Sequence, residues 1–253
     1  MIDTHCHLFK EYYSDIDEVI KKMEDNIIIV SATNEEDILE VINLCDKYTN
    51  VYGTIGIHPT EAKNIIDKDL KIIEENISNP KIVGIGEIGL DYYWEKENKE
   101  EQKELFIKQI NLAKKYNKSI VVHSRDSIND TYEILSEYAK GLKIDIHCFS
   151  ASLEMALKFI KLGCRLGIGG VLTFKNSQKL KDIVENIDLE YLLLETDSPY
   201  LTPEPNRGKK NEPYNIIYVA EEIAKIKQTT LGNVLNITTI NAIDQFDLPI
   251  QLW

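Results

Sequence analysis

The sequence predicts an α/β protein that folds as a (β/α)8 TIM barrel, and three observations support this. Eight short strand-like runs recur along the chain, each long enough for one β-strand. Segments with helical periodicity separate them, as in parallel βαβ units. The chain has 253 residues, a length at which a barrel commonly forms one domain. The predicted strands are residues 1–6, 26–32, 51–57, 81–88, 118–123, 142–148, 165–171 and 191–195.

The segments between the strands carry apolar residues on one face, which predicts amphipathic helices. The two clearest faces are Ile38, Leu39, Val41, Ile42 and Cys45 within residues 35–48, and Leu105, Phe106, Ile110 and Leu112 within residues 101–116. Two more helices, residues 213–226 and 230–243, follow the eighth strand, one more than a minimal barrel needs. We therefore expect a single domain over residues 1–253 with an extra C-terminal helix.

The composition narrows the class of protein. A hydrophobic fraction of 43% is typical of a globular protein, and no apolar run reaches the length of a membrane span. The net charge of −13 argues against a general nucleic-acid binder, which is usually basic. The first strand begins at Met1, so we expect no cleaved signal peptide and a cytoplasmic location. The four cysteines show no CxxC pairing and are expected to be reduced and structural.

Metal-binding side chains stand at the ends of the predicted strands. Each of the five histidines closes an apolar run, and two carboxylates do the same. If the strands run parallel in a barrel, their carboxyl ends converge, which is where the active site of such a barrel forms. The residues that close the runs are His5, His7, His58, Glu87, His123, His147 and Asp197. This pattern predicts a metal-dependent active site.

The spacing of these residues suggests two ion sites. His5 and His7 are two apart, so both imidazoles project from one strand face, and Asp197 ends the strand that closes the barrel beside them. Glu87, His123 and His147 end three neighbouring strands and can hold a second ion. In this arrangement Glu87 bridges the ions and takes part in catalysis with Asp197, which accepts the proton of the attacking water.

Three residues beside these ligands have predicted orientations. Asp3 and Glu195 lie two residues deeper on their strands than His5 and Asp197 and face the same way. They either orient the histidines or fill the barrel interior as polar packing. Cys6, between the two histidines, should face away from the site into the core.

Six motifs, in chain order, resemble those of the TatD family of metal-dependent hydrolases. The motifs are HCH (5–7), GIHP (56–59), GEIGLDYYW (86–94), HSRD (123–126), HCFS (147–150) and ETDSPYLTPEPNRGKKNEP (195–213). The resemblance covers the whole chain and implies a TIM barrel with one or two divalent ions. For this chain we expect two ions, which are Mg, Mn or Zn. It also implies hydrolysis of DNA phosphodiester bonds, often as a 3′→5′ exonuclease. Two small departures, Ala151 and the pair 118–119, fall outside the metal ligands.

The family's metal ligands map onto residues already identified from the strand pattern, and none is substituted. They are His5, His7, Glu87, His123, His147 and Asp197. The expected partner is DNA with single-stranded ends, because cations and aromatic rings occupy the loops of the same face. Arg125 and Arg207 are the expected phosphate contacts. His58 is either a substrate contact or part of a structural turn. We expect no obligate protein partner and no membrane association.

Other functions remain open at this point. One is hydrolysis of esters or of small amide substrates, as in the wider amidohydrolase class. Several of those enzymes bridge two metals with a modified lysine at the fourth strand end, where this chain has Glu87. Another is removal of D-amino acids from tRNA, which some relatives perform. A binding or scaffold protein on the same barrel is disfavoured by the complete ligand set.

Overall fold

The computed structural model describes residues 1–64 and 67–250. Residues 65, 66 and 251–253 lie outside the described part, so the predicted domain limits of 1–253 extend beyond it at the C-terminus. The chain divides into two compact units. Unit 1 comprises Met1–Val30 and Cys148–Trp253, and unit 2 comprises Ser31–His147. That the whole chain forms a single domain stays a prediction.

Strands and helices alternate along the chain as predicted. The strands are β1 (Ile2–Cys6), β2 (Ile27–Ser31), β3 (Val51–Thr54), β4 (Ile82–Asp91), β5 (Ser119–Arg125), β6 (Ile144–Ile146), β7 (Cys164–Ile168) and β8 (Leu192–Leu194). The first five helices are α1 (Ile16–Lys21), α2 (Glu35–Lys47), α3 (Asp67–Asn76), α4 (Lys99–Tyr116) and α5 (Ile128–Tyr138). The others are α6 (Leu153–Lys161), α7 (Gln178–Asn186), α8 (Ile216–Ile226) and α9 (Leu231–Phe246).

The eight strands form one sheet in the order β1 to β8, with parallel pairing between neighbours such as β4 and β5. Within unit 1, the end of β1 lies beside the end of β8. Cys6 forms a parallel bridge with Ser198, and the Asp197 amide donates to the carbonyl oxygen of His5 at 3.0 Å. First and last strands are therefore neighbours, and the fold is the predicted (β/α)8 barrel, with α8 and α9 both after β8.

Several strand limits differ from the predicted ones. β3 ends at Thr54, so the prediction that His58 closes a strand is wrong, and His58 lies four residues further on. β4 is longer than predicted, because its hydrogen-bonded register with β5 continues to the pair Asp91 and Arg125. Glu87 therefore lies inside β4 and not at its end.

Helix α2 has a capped start and a buried apolar face, and this face differs from the predicted one at one residue. The Asn34 side chain accepts a hydrogen bond from the Asp37 amide at 3.0 Å, which caps the helix start. Ile38, Val41 and Cys45 are buried, as the periodicity predicts. Leu39 was assigned to the same face but is 53% exposed, because one residue turns a helix by about 100°.

Gly89 allows β4 and β5 to approach each other next to His123, a predicted metal ligand. Its φ is +138°, and a Cβ at this position would lie 2.0 Å from the carbonyl oxygen of His123.

We expect Gly89→Ala to lower the free energy of unfolding by at least about 2 kcal/mol, since backbone atoms must move and the φ is strained. Chemical denaturation measures this. Gly232→Ala is the control, because a Cβ there meets no atom within 4 Å. If Gly89→Ala were as stable as the wild type, the close contact between Gly89 and the His123 carbonyl would be contradicted.

Three cysteines, Cys6, Cys45 and Cys164, are buried, and Cys148 is partly exposed; these four described cysteines form no disulfide. Cys6 is fully buried, so its predicted core position is confirmed. In the described ranges 1–64 and 67–250, no helix combines the length and the apolarity that crossing a membrane requires.

Candidate metal centre

In unit 1, two histidines and an aspartate bring potential metal ligands together. His5 lies on β1 and His7 one residue beyond its end. Their Nε2 atoms are 3.2 Å apart, and Asp197 Oδ1 is 3.4 Å from His7 Nε2 and 3.9 Å from His5 Nε2. Both histidines are buried. Two imidazole nitrogens and a carboxylate oxygen at these separations fit the donor set that proteins use for a divalent ion. We call these three residues cluster 1.

Asp3 fixes the backbone that carries cluster 1. It is fully buried, and its carboxylate accepts hydrogen bonds from the His5 amide at 3.3 Å, the Thr196 amide at 2.9 Å and the Thr196 hydroxyl at 2.6 Å. Burial raises the pKa of Asp3 well above its usual value, although these hydrogen bonds oppose the rise. Asp3 thus ties β1 to the segment after β8, and the bonds it makes here go to backbone and hydroxyl groups.

Glu195, the other carboxylate predicted near the histidines, also holds backbone. Its Oε1 accepts a hydrogen bond from the Cys148 amide at 2.8 Å. The same side chain leaves no room for a Cβ at Gly167, where the nearest carboxylate oxygen would be only 2.2 Å away. Glu195 therefore lies in a tightly packed position, fully buried, between β7 and the residue that follows His147 in the chain.

In unit 2, Glu87 is the centre of a second group of potential ligands. Its Oε1 is 2.8 Å from His123 Nδ1 and 3.8 Å from His147 Nε2. Glu87 and His147 are buried, and His123 is partly exposed. A carboxylate with two imidazole nitrogens again fits a divalent ion. We call Glu87, His123 and His147 cluster 2.

Asp91 contacts cluster 2 and was missed by the sequence analysis. Its Oδ2 lies 3.0 Å from His123 Nε2, the ring nitrogen that faces away from Glu87. Asp91 is 1% exposed. A carboxylate in this position holds the proton on Nε2 and leaves Nδ1 for a metal ion. Since side chains alternate along a strand, Glu87 and Asp91 share one face of β4. A prediction that carried β4 to residue 91 would have found it.

The two carboxylates determine the protonation of His123. Burial lowers the pKa of His123, but the hydrogen bonds to Asp91 and Glu87 outweigh it and raise the pKa to about 9. In the metal-free protein, His123 at neutral pH is therefore an imidazolium that donates to both carboxylates. Metal ions bind only the deprotonated nitrogen.

We expect metal binding at cluster 2 to release a proton. Because the pKa of His123 is raised to about 9, the proton is present at pH 7 and its loss becomes easier as pH rises. The affinity for Mn²⁺ should therefore increase about tenfold per pH unit from pH 6.5 to 8 and level off near pH 9. Calorimetry in buffers with different ionisation enthalpies measures the proton directly. An affinity that does not change with pH would show that His123 is neutral before binding.

The three predicted substrate contacts lie in different surroundings. His58 Nδ1 is 2.7 Å from the Thr60 hydroxyl, and its ring stands edge-on to His123 with centroids 4.5 Å apart. Arg125 packs over the ring of Tyr93 at 4.1 Å. Arg207, in unit 1, packs over the ring of Phe174 at 3.7 Å. His58 therefore lies next to cluster 2, and both arginines are supported by aromatic rings.

Comparison with known proteins agrees with this geometry. A family model described as TatD related DNase matches residues 2–247. The chain is 42% identical to the uncharacterized metal-dependent hydrolase YabD of Bacillus subtilis (strain 168), over 96% of this chain and 97% of that protein. It is 40% identical to the uncharacterized metal-dependent hydrolase MJ1582 of Methanocaldococcus jannaschii, over 93% and 92%.

A solved structure shows the same similarity. The crystal structure of YJJV, a TatD homologue from Escherichia coli K12, superposes with a TM-score of 0.92 at 28% identity and covers 98% of both chains. Sequence and structure thus agree over almost the full length. The chain belongs to the TatD family of metal-dependent hydrolases.

Proposed function

We propose that the protein hydrolyses phosphodiester bonds of DNA and removes nucleotides from single-stranded 3′ ends. The observation that carries this proposal is the presence of two ligand clusters, each with histidines and a carboxylate, in a chain that matches the TatD related DNase model over residues 2–247. Two-ion sites are common in enzymes that cleave phosphodiesters.

The donor atoms fit divalent ions. Cluster 1 would hold one ion and cluster 2 the other. When bound, divalent ions in such sites lower the pKa of water and neutralise charge on phosphate oxygens. Four imidazoles among six ligands suit Mn or Zn better than Mg, which prefers oxygen ligands. A test of activity therefore includes Mn beside Mg.

The protein's own groups have separate tasks in this proposal. Asp197 accepts the proton of the attacking water through its carboxylate, which is partly exposed while its neighbour His5 is fully buried. Glu87, almost fully buried, lies beside the histidines of cluster 2, with its Oε1 2.8 Å from His123 Nδ1. His58, which faces Glu87 at 3.7 Å, would contact a phosphate oxygen through its Nε2.

Phosphate binding is expected from individual arginine side chains at short range, and it does not require the whole chain to be basic; its net charge is −13. Arg125 and Arg207 each pack on an aromatic ring, which orients the guanidinium before a substrate arrives. A guanidinium so oriented can form two parallel hydrogen bonds to one phosphate. Binding that depends on such contacts should weaken as the salt concentration rises.

The test is incubation of the protein with single-stranded DNA labelled at its 5′ end, with Mg²⁺, with Mn²⁺ and with a chelator. We expect a metal-dependent ladder that shortens from the 3′ end, is absent with the chelator, and weakens at high salt. No cleavage with any metal, from a protein that binds metal, would overturn the proposal. An aminoacyl-tRNA ester would then be the next substrate to test.

A further inference from the structure

The turn after β4 presents two large aromatic rings to solvent. Tyr93 is 46% and Trp94 is 65% exposed, whereas their neighbour Tyr92 is buried. Exposing a pair of aromatic side chains is costly in water, and such pairs mark binding surfaces. We call Tyr93, Trp94 and the adjoining Arg125 the aromatic platform.

The three side chains of the aromatic platform pack on one another. The rings of Tyr93 and Trp94 are perpendicular, with centroids 4.9 Å apart. The guanidinium carbon of Arg125 lies 4.1 Å from the centre of the Tyr93 ring and 5.5 Å from that of Trp94. The platform therefore offers an indole and a planar cation next to each other, the two kinds of surface on which nucleobases stack.

The backbone of the turn is held rigidly from below. Asp91 Oδ1 accepts hydrogen bonds from the amides of Tyr93 and Trp94, both at 2.9 Å. The side chain of Gln102, on α4, accepts from the Asp91 amide at 2.8 Å and donates to the carbonyl oxygens of Asp91 and Glu95, both at 3.0 Å. The aromatic platform is therefore preorganised and loses little conformational freedom when a ligand binds.

The same buried aspartate connects the aromatic platform to cluster 2. Asp91 uses one oxygen for the turn and the other for His123 Nε2 at 3.0 Å. Arg125 also lies directly opposite Asp91 in the register of β4 and β5, two residues after His123 on its strand. A single side chain, that of Asp91, thus links the aromatic platform to His123, a predicted metal ligand.

We propose that the aromatic platform is a subsite for an unpaired nucleobase of single-stranded DNA, with Arg125 binding the adjoining phosphate. This inference rests on the proposed function, because it places a part of that substrate. The chemistry favours a nucleic acid over other ligands of aromatic surfaces, since a stacking ring and a guanidinium match a base and its phosphate. The subsite would hold a base and carry no catalytic group.

Fluorescence of Trp94 tests the proposal directly. The chain has two tryptophans, so Trp253→Phe leaves Trp94 as the sole reporter. The probe is a six-nucleotide deoxyoligonucleotide with phosphorothioate links, which resist hydrolysis, titrated first with a chelator and then with Mn²⁺. A matched oligonucleotide without bases has the same charges. We expect quenching by the first oligonucleotide and little by the second, because stacking requires a base.

Variants separate the subsite from the metal centre. Calorimetry, which needs no tryptophan, compares the variants: Trp94→Ala should weaken oligonucleotide binding roughly tenfold and leave Mn²⁺ binding unchanged. Arg125→Lys keeps the charge but loses the planar guanidinium, and should weaken binding as well. The control is Tyr214→Ala, which removes another exposed aromatic ring, 47% exposed, in unit 1. Its oligonucleotide affinity should match that of the wild type.

The outcomes distinguish this proposal from the proposed function. Equal quenching by both oligonucleotides, or wild-type affinity in Trp94→Ala, would overturn the subsite even if DNA is hydrolysed. Quenching that depends on the base, without any hydrolysis of ordinary DNA, would support the subsite and overturn the exonuclease. No quenching with either the chelator or Mn²⁺ would also overturn the subsite.

Discussion

Asp197→Asn is expected to reduce metal-dependent hydrolysis about a thousandfold or more. The substitution keeps the size of the side chain but removes the negative charge that lies 3.4 Å from His7 Nε2. It changes a predicted metal ligand and removes the proposed proton acceptor together, and a positioned acid or base alone commonly contributes roughly 100- to 10,000-fold. The rate constant for cleavage of 5′-labelled single-stranded DNA at saturating Mn²⁺ measures the loss.

The control for this variant is Asp25→Asn, the same change on an exposed residue outside both clusters. Circular dichroism of both variants checks that the fold is retained. We expect Asp25→Asn to cleave DNA at the wild-type rate. If a folded Asp197→Asn protein did the same, Asp197 would neither bind a needed ion nor accept the proton.

Asp91→Asn should weaken Mn²⁺ binding about 10- to 100-fold without unfolding the turn. An asparagine can still accept the amide hydrogen bonds of Tyr93 and Trp94 through its oxygen, which fixes the orientation of the amide. Its NH₂ group then faces His123 Nε2 where a carboxylate oxygen stood. Two donors cannot meet, so once His123 has lost one of its two protons, the remaining proton moves from Nε2 to Nδ1, the nitrogen that a metal ion needs.

Two measurements check this second prediction. Calorimetry with Mn²⁺ alone gives the affinity. ¹⁵N NMR of the metal-free protein above pH 9, where His123 is neutral, identifies which imidazole nitrogen carries the proton. Asp130→Asn is the matched control, because Asp130 accepts a hydrogen bond from Tyr92 at 2.8 Å and pairs with Lys103. Wild-type affinity together with an unchanged His123 tautomer in Asp91→Asn would show that Asp91 has only a structural role.

Periodicity alone predicted the fold and the location of most strands. An apolar run that ends in a polar group is easy to recognise in a sequence, as in the run before His123. The first and last residues of the strands were harder to predict, because they depend on hydrogen bonds to neighbouring strands. β4 extends to Asp91 because its pairing with β5 continues that far. No local feature of the sequence predicts such pairing.

The candidate site illustrates the same limit. Residue type and position sufficed to select His5, His7 and Asp197 as potential partners, and the distances within unit 1 place them together. The contacts of buried carboxylates could not be predicted in the same way. Asp3 was expected either to orient histidines or to fill the interior, and it binds amide and hydroxyl groups of Thr196, 193 residues away in the chain.

The metal content of the purified protein tests the central claim most directly. After saturation with Mn²⁺ and removal of free metal, we expect two ions per chain, one held by cluster 1 and one by cluster 2. His7→Ala and His123→Ala should each bind fewer than two, and Asp25→Asn should bind two. A wild-type protein that binds no ion, or variants that keep the full count, would show that these residues do not form the metal centre.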